Sequence, residues 1–218
     1  MQFEARYREA RSLSATFLQE YSENGKVTRK EAGKSYFLHP GKMRWDYEAP
    51  EKNTFLADGK YVWFITPEDR TATRMAAKKS EDWRTPLAFL TGGMKLSRIC
   101  ARVEAAPDVS PRQVGNRVYR CELRGAGEAN SAGEGADKPG GAATVHAIRS
   151  AGAVLFELSP QGELSRLQVD EGAGIRVEFT FKDWEWNPVL PKALFQFEAQ
   201  PGMVIVDGPL PDSPGLRQ

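Results

Sequence analysis

Much of the chain alternates between apolar and polar residues. In Lys42-Met43-Arg44-Trp45-Asp46-Tyr47-Glu48, Met43, Trp45 and Tyr47 face one way, and Lys42, Arg44, Asp46 and Glu48 face the other. Successive side chains of a strand project to opposite faces, so this pattern predicts a half-buried strand. Pro40-Gly41 is a turn dipeptide before it, and Pro50 closes it. Ile175, Val177, Phe179 and Phe181 alternate in the same way with Arg176, Glu178, Thr180 and Lys182. Asn24-Gly25 and Asp58-Gly59 lie between apolar runs and predict hairpins. Further strands are predicted at about 13–23, 34–39, 54–57, 61–66, 71–75, 95–104, 116–124, 144–149, 153–158, 164–170, 194–197 and 203–206.

Three stretches break the period of two. Phe3, Tyr7, Ala10 and Leu13 trace one helical face at spacings of four, three and three. Thr85-Pro86-Leu87-Ala88-Phe89-Leu90-Thr91-Gly92-Gly93 reads as a short helix, with Thr85 as cap, Pro86 in the first turn and Gly92 as stop. Residues 125–143 hold Gly or Ala at 12 of 19 positions and no large apolar side chain, which predicts a flexible insert. Short strands at this regular spacing predict a mainly β fold, an antiparallel sheet curled into a barrel or sandwich. We expect one domain over residues 1–206, with a frayed tail from Asp207 to Gln218.

Composition removes several functions. The 218 residues carry 30 Lys plus Arg against 29 Asp plus Glu, a net charge of +1, which offers no bulk grip on nucleic acid. The two cysteines and the separated His39 and His146 do not readily make a metal site, and a histidine-based triad could use only one of those histidines. Neither a metal nor a cofactor is expected. No run reaches the roughly 18–20 apolar residues of a membrane-spanning helix. Met1 leads directly into charged, amphipathic sequence and no signal peptide is expected in this chain, which leaves a cytosolic protein and one whose signal was removed, with Met1 added for expression, both open.

Five segments in order resemble the outer-membrane lipoprotein carrier (LolA-like) family. They are Phe17-Leu18-Gln19 after a short helix; Gly33 to Phe37 followed by His39-Pro40-Gly41-Lys42-Met43-Arg44-Trp45-Asp46-Tyr47; Asp58-Gly59-Lys60-Tyr61-Val62-Trp63; Thr85 to Gly92; and Asn187-Pro188 to Phe197 with Pro201-Gly202-Met203. The similarity spans about residues 10–206. It implies an incomplete antiparallel barrel with short helices acting as a lid over an apolar cavity. It also implies a non-enzymatic periplasmic carrier whose signal peptide has been removed. Such a carrier takes the acyl chains of lipoproteins from an inner-membrane transporter to an outer-membrane receptor. A monomer is expected, without nucleic acid as a partner.

On this resemblance the lipid-binding residues are Met43, Trp45, Tyr47, Phe55, Trp63, Leu87, Phe89, Leu90, Val177, Phe179 and Phe181. The plainer reading of the same residues is an ordinary core. Members of the family often have an arginine at the position of His39, where it holds the lid. His39 would replace it only in part, so a weaker or differently held closed state is expected.

Other readings stay open. An envelope module that senses or presents a lipid or glycolipid fits the same half-barrel. A glycosidase would need two converging carboxyls, and no motif marks them. Trp184 and Trp186 are expected to end a strand and cover a sheet edge. Cys100 and Cys121 lie on successive predicted strands and would pair in an oxidising compartment if the turn between them is symmetric. Strict alternation argues against the pair, because it sets Cys100 with Arg98 and Arg102 but Cys121 with Tyr119 and Leu123.

Overall fold

The computed structural model describes residues 2–77, 87, 90, 91, 95–124 and 153–210. Helix α1 (Gln2–Glu9) leads into a meander of β1 (Ser12–Glu23), β2 (Lys26–Leu38), β3 (Lys42–Ala49), β4 (Asn53–Ala57), β5 (Tyr61–Thr66) and β6 (Thr71–Ala76). A short helix α2 (Leu96–Ile99) opens a second run of β7 (Cys100–Ala105), β8 (Arg117–Leu123), β9 (Ala153–Leu158), β10 (Leu164–Gly172) and β11 (Ile175–Trp186). A turn of 3-10 helix (Lys192–Phe195) precedes β12 (Val204–Asp207). The twelve strands among the described residues form one sheet in the order β12-β6-β5-β4-β3-β2-β1-β11-β10-β9-β8-β7. Every neighbouring pair is antiparallel except β12, which runs parallel to β6.

Turn chemistry sets the first hairpin. Asn24 and Gly25 have φ of 51° and 80°, the two positive values a tight two-residue connection demands. Between β2 and β3, Gly33 lies under the Asp46 carbonyl, where any Cβ would overlap backbone, and the register shifts by one residue at this point.

The sheet is strongly curled. Strands β3 and β11 are separated by β2 and β1, so a flat sheet would hold them about 14 Å apart. The Trp45 ring nevertheless lies 5.6 Å from Phe179 and 5.9 Å from Phe181. Inward side chains from both meanders thus meet in one large cluster, and a smaller cluster of Leu56, Trp63, Ala72 and Phe195 lies apart from it. The expectation of a mainly β curled sheet with few helices is met.

Helix α1 covers one end. Tyr7 is buried, its ring 5.7 Å from Trp184 and 5.0 Å from Trp186, and its hydroxyl accepts the Leu164 N–H at 2.7 Å. Burial pushes the Tyr7 phenol well above its ordinary value, so it stays protonated. Alternation from Phe181 would turn Trp184 and Trp186 outward. Asp183, at φ 53°, is an extra residue opposite β1 and returns both rings to the inner face.

Several expected elements differ. The first helix ends at Glu9 rather than near Leu13, because Ser12 already pairs with Leu38. Residues 96–99 form α2 instead of the start of a strand. The expected strand at 194–197 is largely replaced by the 3-10 turn, which Pro191 precedes and which buries Phe195. Asp207 belongs to β12 and pairs with Arg74 at 2.5 Å, and Leu210 packs on the large cluster, so the frayed tail does not begin at residue 207. The strand expected at 144–149 and the insert at 125–143 lie outside the described residues.

Candidate functional site

The inner face is an aromatic surface built by strand periodicity. Phe17 on β1, Phe37 on β2, Met43, Trp45 and Tyr47 on β3, Phe55 on β4 and Phe64 on β5 meet Phe156, Leu167, Val169, Val177, Phe179 and Phe181 from the second run. Trp45 sits at its centre, fully buried, with Phe17 at 4.8 Å and Phe37 at 5.9 Å in edge-on contacts. Edge-to-face contact sets the positive rim of one ring against the negative face of the next.

Connectivity brings a further segment against this face. Strand β6 lies next to one end of the sheet order and β7 at the other, so the chain between them joins opposite margins. Its residues Leu87 and Leu90 are fully buried in the inner cluster. Their spacing of three puts both on one side of a helical turn. Two hydrogen bonds from the β2–β3 turn hold this segment: His39 Nε2 lies 3.0 Å from the Leu90 carbonyl, and Gly41 N–H donates to the Thr91 carbonyl at 3.0 Å. A carbonyl only accepts, so Nε2 carries the hydrogen. His39, which the resemblance leads one to expect at a lid, thus stands within hydrogen-bond distance of the Leu90 carbonyl.

One end of the inner face is polar. Gln19 is fully buried, and its Oε1 accepts the Tyr47 hydroxyl at 3.0 Å. Gln19 stands opposite Glu31 in the register, and Glu31 is bound by Arg29 at 2.6 Å.

Met43, Trp45, Tyr47, Phe55, Leu87, Leu90, Val177, Phe179 and Phe181 are thus gathered in one cluster, while Phe89 lies outside the described residues. Trp63 is a correction. It packs on the opposite face, stacked on Phe197 at 3.9 Å, with its indole N–H donated to Asp58 at 3.0 Å. The run Tyr61-Val62-Trp63-Phe64-Ile65 is apolar throughout, so periodicity could not choose a face. Asp58 chooses it: its carboxylate also accepts the Lys60 and Tyr61 N–H groups, each at 2.7 Å, which fixes the turn and the tryptophan together. Sequence reasoning missed Phe17, Phe37, Phe64, Phe156, Leu167 and Val169. For Phe17 the alternation through Ala15, Phe17, Gln19 and Tyr21 was an available signal; for Phe64 there was none, because its strand is apolar on both faces.

Cys100 and Cys121 form a disulfide, with Cα atoms 5.4 Å apart. The facing conflict disappears because Ala101 is an extra residue in β7 that reverses Cys100 relative to Arg102. The bridge lies within the inner cluster beside α2.

On the other face, Glu157, Arg166 and Glu178 form a buried ionic row across β9, β10 and β11. Glu157 accepts the Arg112 and Gln113 N–H groups at 3.0 and 3.1 Å, the Asn116 amide at 2.9 Å and Arg166 Nε at 2.8 Å. These carboxylates therefore fasten the β7–β8 loop to the sheet. Among the described residues no group of three or more His, Cys, Asp or Glu side chains is arranged to hold a metal.

Comparison with known proteins gives a consistent picture. The family model described as outer membrane lipoprotein carrier protein LolA matches residues 8–108. An outer-membrane lipoprotein carrier protein of Xylella fastidiosa is 27% identical over 188 residues, spanning 86% of this chain and 77% of the relative. One from Dechloromonas aromatica is 27% identical over 201 residues, spanning 90% of this chain and 81% of the relative. Among solved structures, an uncharacterized conserved protein from Thermus thermophilus superposes with a TM-score of 0.56 at 9% identity, over 95% of this chain and 98% of that one, which shows a shared fold.

Proposed function

We propose, from the premise that this chain is a LolA-like protein, that it carries lipoproteins between the inner and outer membranes by holding their acyl chains against the inner face of the sheet. Kinship with outer-membrane lipoprotein carriers supports the carrier role in general. The observation that supports the acyl site is the covered aromatic face itself. Leu87 and Leu90 close a surface centred on Trp45, and hydrogen bonds from His39 and Gly41 fasten their segment.

The physical requirement is severe. Each acyl methylene hidden from water contributes roughly 0.8 kcal/mol, so a soluble shuttle needs an apolar surface that stays hidden when empty. Here Leu87 and Leu90 hide it. Release of the His39 and Gly41 bonds lets this segment leave, and acyl chains take the place of the two leucines. Each neutral hydrogen bond contributes only about 0.5–1.5 kcal/mol, so the closed state is poised rather than locked. Met43 adapts to irregular chain shapes through its flexible thioether. The carrier works in the periplasm, where the Cys100–Cys121 bridge persists. It takes cargo from an inner-membrane transporter and gives it to an outer-membrane receptor.

The test is soluble capture. The purified chain is mixed with vesicles bearing a triacylated lipoprotein, and the supernatant is examined by native mass spectrometry. A soluble complex of this chain with the acylated polypeptide, absent for the unacylated form, is expected. No acyl-dependent complex would overturn the reading.

A further inference from the structure

We infer that the inner face recognises the carbonyl groups that link acyl chains to their carrier molecule, through the N–H groups of Gln19 and Trp45. This rests on the proposed acyl-binding role and adds a polar subsite to it.

Both side chains are fully buried, and both keep a donor without a partner: Nε2 of Gln19 and Nε1 of Trp45. An unpaired buried donor is costly, and native interiors contain few of them. Neither is an accident of a crowded surface. The Gln19 amide is oriented by the Tyr47 hydroxyl on Oε1, which leaves Nε2 as the outstanding donor. Trp45 is held among Phe17, Phe37, Phe179 and Phe181 in a site that phenylalanine would fill without an N–H. Gln19 pairs with Phe179 in the strand register, and Phe179 is also a ring neighbour of Trp45, so both donors flank one patch.

A ligand that answers two donors inside an apolar face must bring acceptors attached to hydrocarbon. Ester and amide carbonyls of acyl chains do this. Ether-linked alkyl chains lack the carbonyl. A free fatty acid brings a full negative charge, yet Glu31 stands opposite Gln19, and the neighbouring cation Arg29 is already bound to Glu31. Burying a second carboxylate there without a cation is unfavourable. The occupant is therefore an uncharged acyl carbonyl.

The experiment compares a short-chain diacyl glycerophosphocholine with its dialkyl ether counterpart, identical except for the carbonyls, as competitors of a fluorescent alkyl probe. The wild-type chain is expected to bind the ester about tenfold more tightly than the ether, the effect of one to two neutral hydrogen bonds. Trp45→Phe and Gln19→Met, which keep the apolar bulk, should each reduce that ratio to about threefold. Thermal unfolding of each variant establishes that it is folded, and the wild-type ratio needs no variant. Equal binding of ester and ether by the wild type, or an undiminished ratio in both variants, overturns the inference alone. Binding of neither lipid overturns it together with the acyl-carrier reading.

Discussion

His39 Nε2 and the carbonyl of Leu90 are 3.0 Å apart, across 51 residues of sequence. A carbonyl only accepts, so the ring nitrogen donates here to the Leu90 carbonyl. Replacing His39 with Ala should remove about 0.5–1.5 kcal/mol of closure and raise the open population roughly threefold to tenfold. Faster amide exchange at residues 87–91, together with faster uptake of a fluorescent acyl probe, would report it. Unchanged exchange there would mean that the contact does not hold the segment.

Gly33 offers a test of the β2–β3 geometry. A Cβ at this position would overlap the Asp46 carbonyl and press on Tyr47 Cα, both backbone atoms that cannot swing away. Gly33→Ala should destabilise by about 1–3 kcal/mol or more, as overpacking does. Because Tyr47 and Trp45 share that strand, probe binding should fall too. Urea denaturation and probe titration of the variant check both.

The disulfide closes a separation of 21 residues between β7 and β8. Loops of that length give about 3 kcal/mol in the chain-entropy account. The double replacement Cys100→Ala with Cys121→Ala should lower stability by about 2–4 kcal/mol in urea. Wild-type protein with a reductant strong enough to open the bridge should fall to a similar midpoint.

Glu157 gives stability a pH dependence. Burial alone would raise its carboxyl, but the Arg112 N–H, the Asn116 amide, the Gln113 N–H and the Arg166 cation outweigh burial and hold it below its ordinary value of 4.5. A group depressed in the folded state stabilises above its unfolded value and loses that contribution as pH falls through the folded one. Wild type should therefore exceed Glu157→Gln in urea midpoint at neutral pH. The gap should narrow once the pH falls below about 4.5. A gap independent of pH would show that the carboxylate charge does not matter.

Local alternation made most of the sheet legible. Met43, Trp45 and Tyr47, and Val177, Phe179 and Phe181, could be assigned to one buried face because charged residues occupied the other. What could not be read was parity, wherever an extra residue reverses it. Asp183 turns Trp184 and Trp186 inward, and Ala101 turns Cys100 toward Cys121. Such bulges leave no mark in composition. Trp63 failed for a different reason: its strand has apolar residues on both faces, and a side-chain hydrogen bond to Asp58 settles the matter. The His39–Leu90 contact could not be read from pattern, since no periodicity links a turn histidine to a backbone carbonyl so far along the chain.

The strand order has a consequence for how the molecule assembles. Strands β1 to β6 and β7 to β11 are each a run of sequential neighbours, so their pairings are of low contact order and form early. Among the described residues, β1 with β11 and β12 with β6 are the seams that join non-sequential strands. Neither can close until the second meander and its tail are present. During synthesis, the first meander therefore waits with the β1 edge unpaired and the aromatic rings of Phe17 and Trp45 without their Phe179 and Phe181 partners. Such exposed edges and rings are aggregation-prone until the second meander has emerged.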